Sequence, residues 1–251
     1  MNNKIINIVI PMAGAGSRFK EAGYTFPKPL IDINGKPMIQ LVIENLKPKN
    51  VDYKFIFICQ EEHYNKFSLN SIFANIIPRD KFECKTINSL TQGAVCTVLM
   101  AIDYINNEND LIIANSDQLV DIDIDNFIQQ CRNNDSNGTI MTFESNHPKW
   151  SYARLNSKGE VTEVAEKKVI SNKATVGIYY FDEGKKFVDG SFEMIEKDIR
   201  VNNEFYVCPV YNELIIKNEI IKTWDITEDK MHGLGTPEDL KKYLDLINYS
   251  R

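Results

Sequence analysis

The residues best placed to do chemistry lie in a turn of small side chains near the start of the chain. The sequence IPMAGAGSRF occupies residues 10–19. The small residues of its turn are Ala13, Gly14, Ala15, Gly16 and Ser17. Such residues let backbone N–H groups approach a phosphate closely, and Arg18 adds a forked cationic contact. The segment is neither a P-loop, since GxxxxGK[ST] is absent, nor a dinucleotide fingerprint, since Phe19 replaces the third glycine.

A lysine between two prolines follows ten residues after Arg18. PKPLI spans residues 27–31, and NGKPMI spans residues 34–39. The prolines restrict the backbone on both sides of Lys28, so its ammonium group should be held stiffly. A fixed cation beside a phosphate-binding turn would stabilise a leaving polyphosphate. A lone Lys-Pro pair is usually a surface feature, so this prediction depends on the combination of Lys28 with the turn.

These phrases resemble the signature of the sugar-phosphate nucleotidyltransferases, a family with a glycosyltransferase-A-like fold. In that family a strand leads to GxGxR, a variable loop, PKPL and a helix that opens with a KPMI-like phrase. The chain supplies MAGAGSRF, PKPL and NGKPMI in this order, and it looks most like the small members from capsule and polysaccharide gene clusters. The resemblance implies that an NTP donates its nucleoside monophosphate to a phosphorylated acceptor, while Arg18 and Lys28 steady the pyrophosphate that leaves.

Two further segments resemble the nucleotide side of this family. Gln92 and Gly93 stand at the turn that faces the nucleobase, where a glycine leaves room for a flat ring and a glutamine can bond a base edge. Ser116 and Asp117 end an apolar strand, at the position where the family's aspartate holds Mg²⁺ against the α-phosphate. Mg²⁺ takes one or two carboxylates together with phosphate oxygens and water. The resemblance therefore implies Mg²⁺ as the cofactor and Asp117 as its ligand.

Two segments resemble the acceptor side. Glu166 and Lys167 stand where the family has VEKP, which implies that Lys167 contacts the acceptor phosphate and Glu166 a sugar hydroxyl. Gly177 follows in a strand, at the position where a glycine gives the acceptor room. Aromatic residues that could line the acceptor pocket are Trp150, Tyr152 and Trp224.

One family position is altered near the C-terminus. GLGTPEDL at residues 233–240 resembles DxGTPEDL, whose leading aspartate is the second metal ligand, and Gly233 replaces that aspartate. Either Mg²⁺ relies on Asp117, phosphates and water, or another residue takes the vacant position. Asp225, Asp229 and His232 are near in sequence. Lost activity is the third alternative, and the intact charged positions elsewhere argue against it.

Short apolar runs that alternate with helical stretches predict how these residues are positioned. Strands are predicted at residues 5–10, 53–59, 110–114 and 138–143, with helices at 38–46, 61–73, 94–105 and 124–132. Beyond these, the pattern predicts a hairpin at 151–165, strands at 174–181 and 220–226, and helices at 184–199, 205–217 and 236–247. The alternation indicates a three-layer α/β/α fold with a mostly parallel, mixed central sheet.

Length and composition favour one soluble domain. The 251 residues fit a single domain with a nucleotide-binding half at 1–145 and an acceptor-binding half at 146–251. A net charge of −6 argues against a nucleic-acid partner. Five cysteines without CxxC spacing predict reduced thiols in a cytoplasmic protein. The N-terminal segment MNNKIINIVIPMAG favours a first strand over a signal peptide, and no apolar run is long enough to insert into a membrane.

Other functions compete with the predicted transferase. A glycosyltransferase of related fold would usually carry DxD where this chain has NSDQ at residues 115–118. A non-catalytic nucleotide-binding homologue would fit the glycine at position 233, and a plain α/β scaffold would leave the motifs unexplained. The turn sequence slightly favours CTP or UTP as the donor. Sugar 1-phosphates, heptose phosphates and phosphocholine stay open as acceptors, and a homo-oligomer stays open as the assembly.

Overall fold

The strands and helices follow the alternation that the sequence predicts. A computed structural model describes residues 4–249, so residues 1–3 of the predicted N-terminal segment and residues 250–251 lie outside the described part. The strands are β1 (Ile6–Pro11), β2 (Asp32–Ile33), β3 (Lys36–Pro37), β4 (Tyr53–Gln60), β5 (Phe82–Ile87), β6 (Asp110–Ala114), β7 (Gln118–Val120), β8 (Gly138–Glu144), β9 (Tyr152–Leu155), β10 (Val161–Ala165), β11 (Lys173–Phe181), β12 (Ile221–Asp225) and β13 (Met231–Gly233). The α-helices are α1 (Ser17–Glu21), α2 (Met38–Leu46), α3 (Glu61–Lys66), α4 (Leu69–Ala74), α5 (Ala94–Leu99), α6 (Ile102–Ile105), α7 (Ile124–Asn133), α8 (Gly184–Glu196), α9 (Val210–Ile216) and α10 (Pro237–Tyr249). Short 3₁₀ helices lie at Lys28–Leu30, Arg79–Lys81 and Glu228–Lys230.

A mixed sheet forms the centre of the molecule. Its strands run in the order β10-β9-β11-β6-β1-β4-β5, while β8 pairs with β11 and carries β12 on its other edge. Strands β6, β1, β4 and β5 are parallel, and β11 is antiparallel to both β6 and β8. The predicted mostly parallel, mixed sheet is confirmed.

Side chains from the two faces of the sheet fill two separate cores. In β1, Ile8 packs into a core with Val42 of α2 and Phe127 of α7. The next residue, Val9, packs into the opposite core with Val95 of α5 and Phe187 of α8. A strand that is buried on both faces needs apolar residues at successive positions, which explains the continuous apolar runs of the sequence.

Two predicted helices are interrupted, and a third is shorter than expected. The stretch 61–73 forms α3 and α4 because Ser68 adopts a left-handed φ of 49° between them. The stretch 94–105 forms α5 and α6, which Met100 and Ala101 separate. The stretch 205–217 becomes helical only at α9, after Pro209.

Strand β5 was not predicted from the sequence. It is a partly exposed edge strand with the polar sequence FECKTI, so it lacks the apolar run that marks a buried strand.

Candidate active site

The glycine turn and Asp117 meet at one edge of the sheet because their strands are parallel neighbours. The turn follows β1 and Asp117 follows β6, and the carboxyl ends of β1 and β6 lie side by side. A cavity of about 690 Å³ opens there, and Gly16, Lys28 and Asp117 are among the residues that line it. This is the edge at which ligands of open α/β sheets bind.

The glycine turn is held by its carbonyl groups and leaves N–H groups available. Gln60 Nε2 donates to the carbonyl oxygens of Ala13 at 2.8 Å and Gly14 at 3.2 Å. Gly16 has a left-handed φ of 62°, which a glycine adopts without strain. Within residues 4–249, no acceptor bonds the N–H groups of Ala15 and Gly16. The turn therefore presents unpaired donors that can bind an anion.

Lys28 and Asp117 form an ion pair on the wall of the cavity. Lys28 Nζ lies 2.7 Å from Asp117 Oδ2, and both side chains are about a fifth to a quarter exposed, at 24% and 19%. The Leu234 N–H donates to the Asp117 carbonyl at 2.7 Å, and a Cβ atom at Gly235 would lie 2.9 Å from Asp117 Oδ2. The loop before α10 therefore passes directly against the carboxylate, and Gly235 gives it room.

The three residues proposed from sequence proximity to replace the missing aspartate are outside the cavity lining. Asp225 bonds Thr142 and Lys173, His232 bonds Asp121 at 2.8 Å, and Asp229 lies in a surface 3₁₀ helix. Asp239 does line the cavity, and a Cβ atom at Gly233 would be 3.9 Å from its carboxylate carbon. Asp239 Oδ2 accepts from Thr236 Oγ1 at 2.9 Å, and its other oxygen is 3.6 Å from Lys149 Nζ.

A polar network of partly buried side chains lines the acceptor side of the cavity. Ser151 Oγ donates to the Glu166 carboxylate, and the Thr175 and Tyr179 hydroxyls are 3.1 Å apart. Burial raises the pKa of Glu166, while the hydrogen bond from Ser151 opposes the rise. The lining also includes Asn115, whose Nδ2 donates to Gln118 Oε1 at 2.9 Å. These groups offer donors and acceptors suited to a ligand with several hydroxyls.

Lys167 also lines this side of the cavity, and it contacts Tyr206, a residue that the sequence did not indicate. Its ammonium group donates to Tyr206 Oη at 2.5 Å and lies 4.5 Å from the centre of the Tyr206 ring. Lys167 itself has a φ of 52°, a left-handed conformation that a lysine seldom adopts. Arg18, Lys167 and Tyr206 all line the cavity, so the cation of the glycine turn and the acceptor lysine share one chamber.

Two glycines of the predicted site are required by internal packing. Gly93 has a φ of 123°, and a Cβ atom there would be 2.5 Å from the backbone nitrogen of Phe205. The space beside Gly93 therefore holds the Phe205 backbone, whereas the sequence suggested a nucleobase. Gly177 has a φ of 92°, and a Cβ atom there would overlap the side chains of Asn115 and Gln118.

The cavity gathers half of the predicted site residues. Those that line it are Gly16, Arg18, Lys28, Asp117, Glu166, Lys167 and Gly177. Those outside the lining are Ala13, Gly14, Ala15, Ser17, Gln92, Gly93 and Ser116. Of the aromatic residues, Trp150 lines the cavity, Tyr152 is buried in the core, and Trp224 packs on Phe127 beside another groove. Lining residues that the sequence did not indicate include Lys149, Glu204, Tyr206 and Asp239.

The sequence matches the model of a known family over most of this architecture. The nucleotidyl transferase family model covers residues 8–205, which include the glycine turn, Lys28, Asp117 and Lys167. The chain belongs to the nucleotidyl transferase family. The predicted family is thereby confirmed.

Individual relatives agree with this assignment. The chain is 28% identical over 243 residues to the bifunctional protein GlmU of Methanocaldococcus jannaschii, a match that covers 89% of this chain and 53% of that protein. The chain thus spans about half the length of the curated relatives that it matches. Its fold is similar to a nucleoside-diphosphate-sugar pyrophosphorylase from Vibrio cholerae, with a TM-score of 0.79, 24% identity and coverage of 95% and 99% of the two chains. The inositol-1-phosphate CTP transferase from T. maritima has a TM-score of 0.75 at 13% identity, with 98% and 96% covered.

Proposed function

We propose that this nucleotidyltransferase moves a nucleoside monophosphate from an NTP to a sugar 1-phosphate or a similar phosphorylated acceptor. One observation supports this proposal above the others. A single cavity is lined both by Gly16, Arg18 and Lys28 of the proposed nucleotide side and by Glu166 and Lys167 of the proposed acceptor side. Two phosphorylated substrates can therefore face each other within one chamber. The product would be a nucleoside diphosphate sugar, which suits the sequence resemblance to polysaccharide-cluster enzymes.

In the proposed reaction, an oxygen of the acceptor phosphate attacks the α-phosphorus of the NTP. A new P–O bond forms, and the bond to the β-phosphate breaks to release pyrophosphate. Lys167 holds the attacking phosphate, and Arg18 and Lys28 stabilise the charge on the leaving pyrophosphate. The enzyme needs no covalent intermediate, because positioning and charge neutralisation supply most of the acceleration in phosphoryl transfers.

The donor set around Asp117 fits a magnesium ion. Asp117 and Asp239 are carboxylates on the wall of one cavity, which also has room for nucleotide phosphates. In the described part of the chain, no cluster of three or more metal-binding side chains occurs, so phosphate oxygens and water would complete the coordination. We propose Asp117 as the protein ligand of Mg²⁺. The bound ion would neutralise charge on the α-phosphate, and Lys28 would have to leave Asp117 first.

The chemistry of the acceptor wall favours a polyhydroxylated acceptor over phosphocholine. A quaternary ammonium group is usually bound by faces of several aromatic rings. Here the wall carries the polar groups of Ser151, Glu166, Thr175 and Asn115. The aromatic rings of Trp150 and Tyr206 already have the ammonium groups of Lys149 and Lys167 over them. Hydroxyl groups of a sugar would satisfy these donors and acceptors. CTP and UTP are the proposed donors, in line with the turn sequence.

Pyrophosphate release tests the proposed function directly. The purified protein is incubated with Mg²⁺, each NTP in turn, and a panel of sugar 1-phosphates, heptose phosphates, phosphocholine and related monoesters. We expect release that requires one NTP and one sugar phosphate. Transfer of sugar from a nucleotide sugar without pyrophosphate would favour the glycosyltransferase, and nucleotide binding without any turnover would favour the non-catalytic homologue. Release that is equally fast without any acceptor would contradict the assignment of Lys167.

Within the described residues, no helix combines the length and apolar character that a membrane crossing requires.

A further inference from the structure

Tyr206 lines the cavity together with charged groups of both proposed substrate sites, Arg18 and Lys167. Its hydroxyl accepts a hydrogen bond from the Lys167 ammonium at 2.5 Å. Burial raises the pKa of Tyr206, the neighbouring Glu204 carboxylate adds to the rise, and the Arg18 charge opposes it. The phenol therefore keeps its proton and stays a neutral partner for the ammonium.

The backbone on either side fixes the position of Tyr206. Val201 and Glu204 exchange two hydrogen bonds of 3.0 Å around Asn202 and Asn203, whose φ values of 50° and 62° are typical of a tight hairpin turn. The next residue, Phe205, donates to Gln92 O at 2.9 Å and accepts from Val95 N at 3.0 Å. Tyr206 is thus anchored to the turn that opens α5, although the ammonium group that it bonds belongs to Lys167, two residues beyond the end of β10.

Lys167 needs such a partner because its own side chain is flexible. A lysine ammonium sits on a four-carbon stem with many rotamers, and it loses that freedom when it binds a phosphate. The hydrogen bond to Tyr206 and the contact with its ring restrict the ammonium before the substrate arrives. Restriction in advance reduces the entropy lost on binding, so it strengthens the binding of the acceptor.

We propose that Tyr206 is a positioning residue, which holds the Lys167 ammonium at the point where the acceptor phosphate binds. This inference rests on the proposed function, because it assigns Lys167 to the acceptor. Tyr206 acts through Lys167 and takes no part in bond making. Loss of the Tyr206 hydroxyl should therefore raise the KM for the acceptor and leave the KM for the NTP unchanged.

A double-mutant cycle tests this role through pyrophosphate release, with the sugar 1-phosphate selected by the panel as the varied substrate. Tyr206→Phe keeps the ring and removes the hydroxyl, and we expect the acceptor KM to rise about tenfold, as for a lost hydrogen bond to a charged group. The NTP KM and kcat should stay within about twofold of wild type. In a Lys167→Met background, Tyr206→Phe should add nothing further, because the group that it positions is gone.

Tyr104→Phe is the matched control. The Tyr104 ring also has lysine ammonium groups over it, from Lys54 at 5.6 Å and Lys85 at 5.1 Å, but it is outside the cavity lining. Thermal unfolding of each variant shows whether it is folded, and this control should leave both KM values unchanged. Equal rises in both KM values for Tyr206→Phe, or full additivity with Lys167→Met, would overturn the proposal.

A second measurement separates the failure of this inference from the failure of the proposed function. Absence of pyrophosphate release by the wild type would reject the proposed function before any variant is studied. Binding of inorganic phosphate to the NTP-loaded protein, measured by calorimetry, then decides on Tyr206. Binding that weakens about tenfold in Tyr206→Phe and in Lys167→Met supports the positioning role. Equal phosphate binding by Tyr206→Phe and wild type overturns it.

Discussion

At the scale of single residues, the two groups proposed to act at the nucleotide phosphates form an ion pair with each other. Lys28 Nζ and Asp117 Oδ2 are 2.7 Å apart, so neither group is free for a phosphate or a cation. The pair is partly exposed, which keeps its contribution to stability small. Nucleotide can therefore break it readily, and the lysine can exchange a carboxylate partner for a polyphosphate.

Substitution of Lys28 should separate catalysis from cation binding. In Lys28→Gln, we expect kcat/KM for pyrophosphate release to fall about a hundredfold or more, because a charge contact to the leaving group is lost. Without nucleotide, Mn²⁺ should bind more tightly than to wild type, since Asp117 no longer has its ammonium partner. Electron paramagnetic resonance of free Mn²⁺ measures that affinity.

Lys36→Gln supplies the control for this substitution. Lys36 bonds Glu44 at 2.8 Å on an exposed surface. Its loss should therefore change neither kcat/KM for pyrophosphate release nor the affinity for Mn²⁺. A Lys28→Gln enzyme with near-normal kcat/KM would contradict the role given to Lys28.

The partly buried carboxyl of Glu166 should cost stability at neutral pH. Because burial raises its pKa, the folded protein binds this proton more tightly than the unfolded chain, and stability falls as pH rises through the folded pKa. We therefore expect Glu166→Gln to be more stable than wild type at pH values well above the carboxyl pKa. The difference should shrink as the pH falls toward the ordinary glutamate value of 4.5.

Urea unfolding across this pH range measures the effect of Glu166→Gln. The exposed Glu238 provides the comparison, as Glu238→Gln removes a carboxylate that is not buried. If the stability difference between Glu166→Gln and wild type instead grows toward acid pH, the raised pKa of Glu166 is not its cause.

At the scale of elements, the segment 204–206 connects the start of α5 with the end of β10. Phe205 bonds Gln92 and Val95 through its backbone, and its neighbour Tyr206 bonds Lys167. Gly93 permits this arrangement, because its Cα faces the Phe205 backbone without a side chain between them. One short loop thus fixes the distance between the predicted nucleobase turn and the acceptor lysine.

A methyl group at Gly93 should disturb that connection. Gly93→Ala places a Cβ atom 2.5 Å from Phe205 N in a backbone conformation with a φ of 123°. We expect the free energy of unfolding to fall by about 2 kcal/mol or more, from backbone strain and overlap together.

Gly159→Ala is the control for Gly93→Ala, because Gly159 has a φ of 77° with no atom within 4 Å of its added Cβ. Its loss should be about 1 kcal/mol, from strain alone. Equal losses in the two variants by urea unfolding would show that the Phe205 contact does not matter.

Sequence patterns predict a helix or strand when its own residues show a characteristic pattern of apolar and turn-forming side chains. They do not predict features that depend on contacts with residues far away in the sequence. Strand β1 was predictable because burial on both faces requires an unbroken apolar run. The break at Ser68 was not, since a serine in a left-handed conformation has no sequence signature as strong as a glycine. Tyr206 bonds Lys167 across 39 positions, through a loop whose course the tertiary structure sets. The Asn202-Asn203 pair was the available turn signal, and it would have placed a turn just before Glu204.

At the scale of the whole molecule, the predicted halves at 1–145 and 146–251 share one sheet. Strand β11 of the second half pairs with β6 and with β8 of the first. Strand β8 pairs only with β11 and β12 in the described part of the chain, so all its neighbours come from the other half. The two halves therefore differ in the substrate that each is proposed to bind. Strands of each half form backbone hydrogen bonds with strands of the other half.

This interlocking predicts that the two halves unfold together. Both tryptophans, Trp150 and Trp224, belong to the second half, whereas backbone circular dichroism reports on the entire chain. Urea transitions followed by tryptophan fluorescence and by circular dichroism should therefore coincide, as in one cooperative unit. A fragment of residues 1–145 should not fold alone, because β8 would expose both of its edges and lose its covering layer. Two separate transitions, or a folded fragment with dispersed amide resonances, would instead establish two independent domains and would place the cavity at an interface between them.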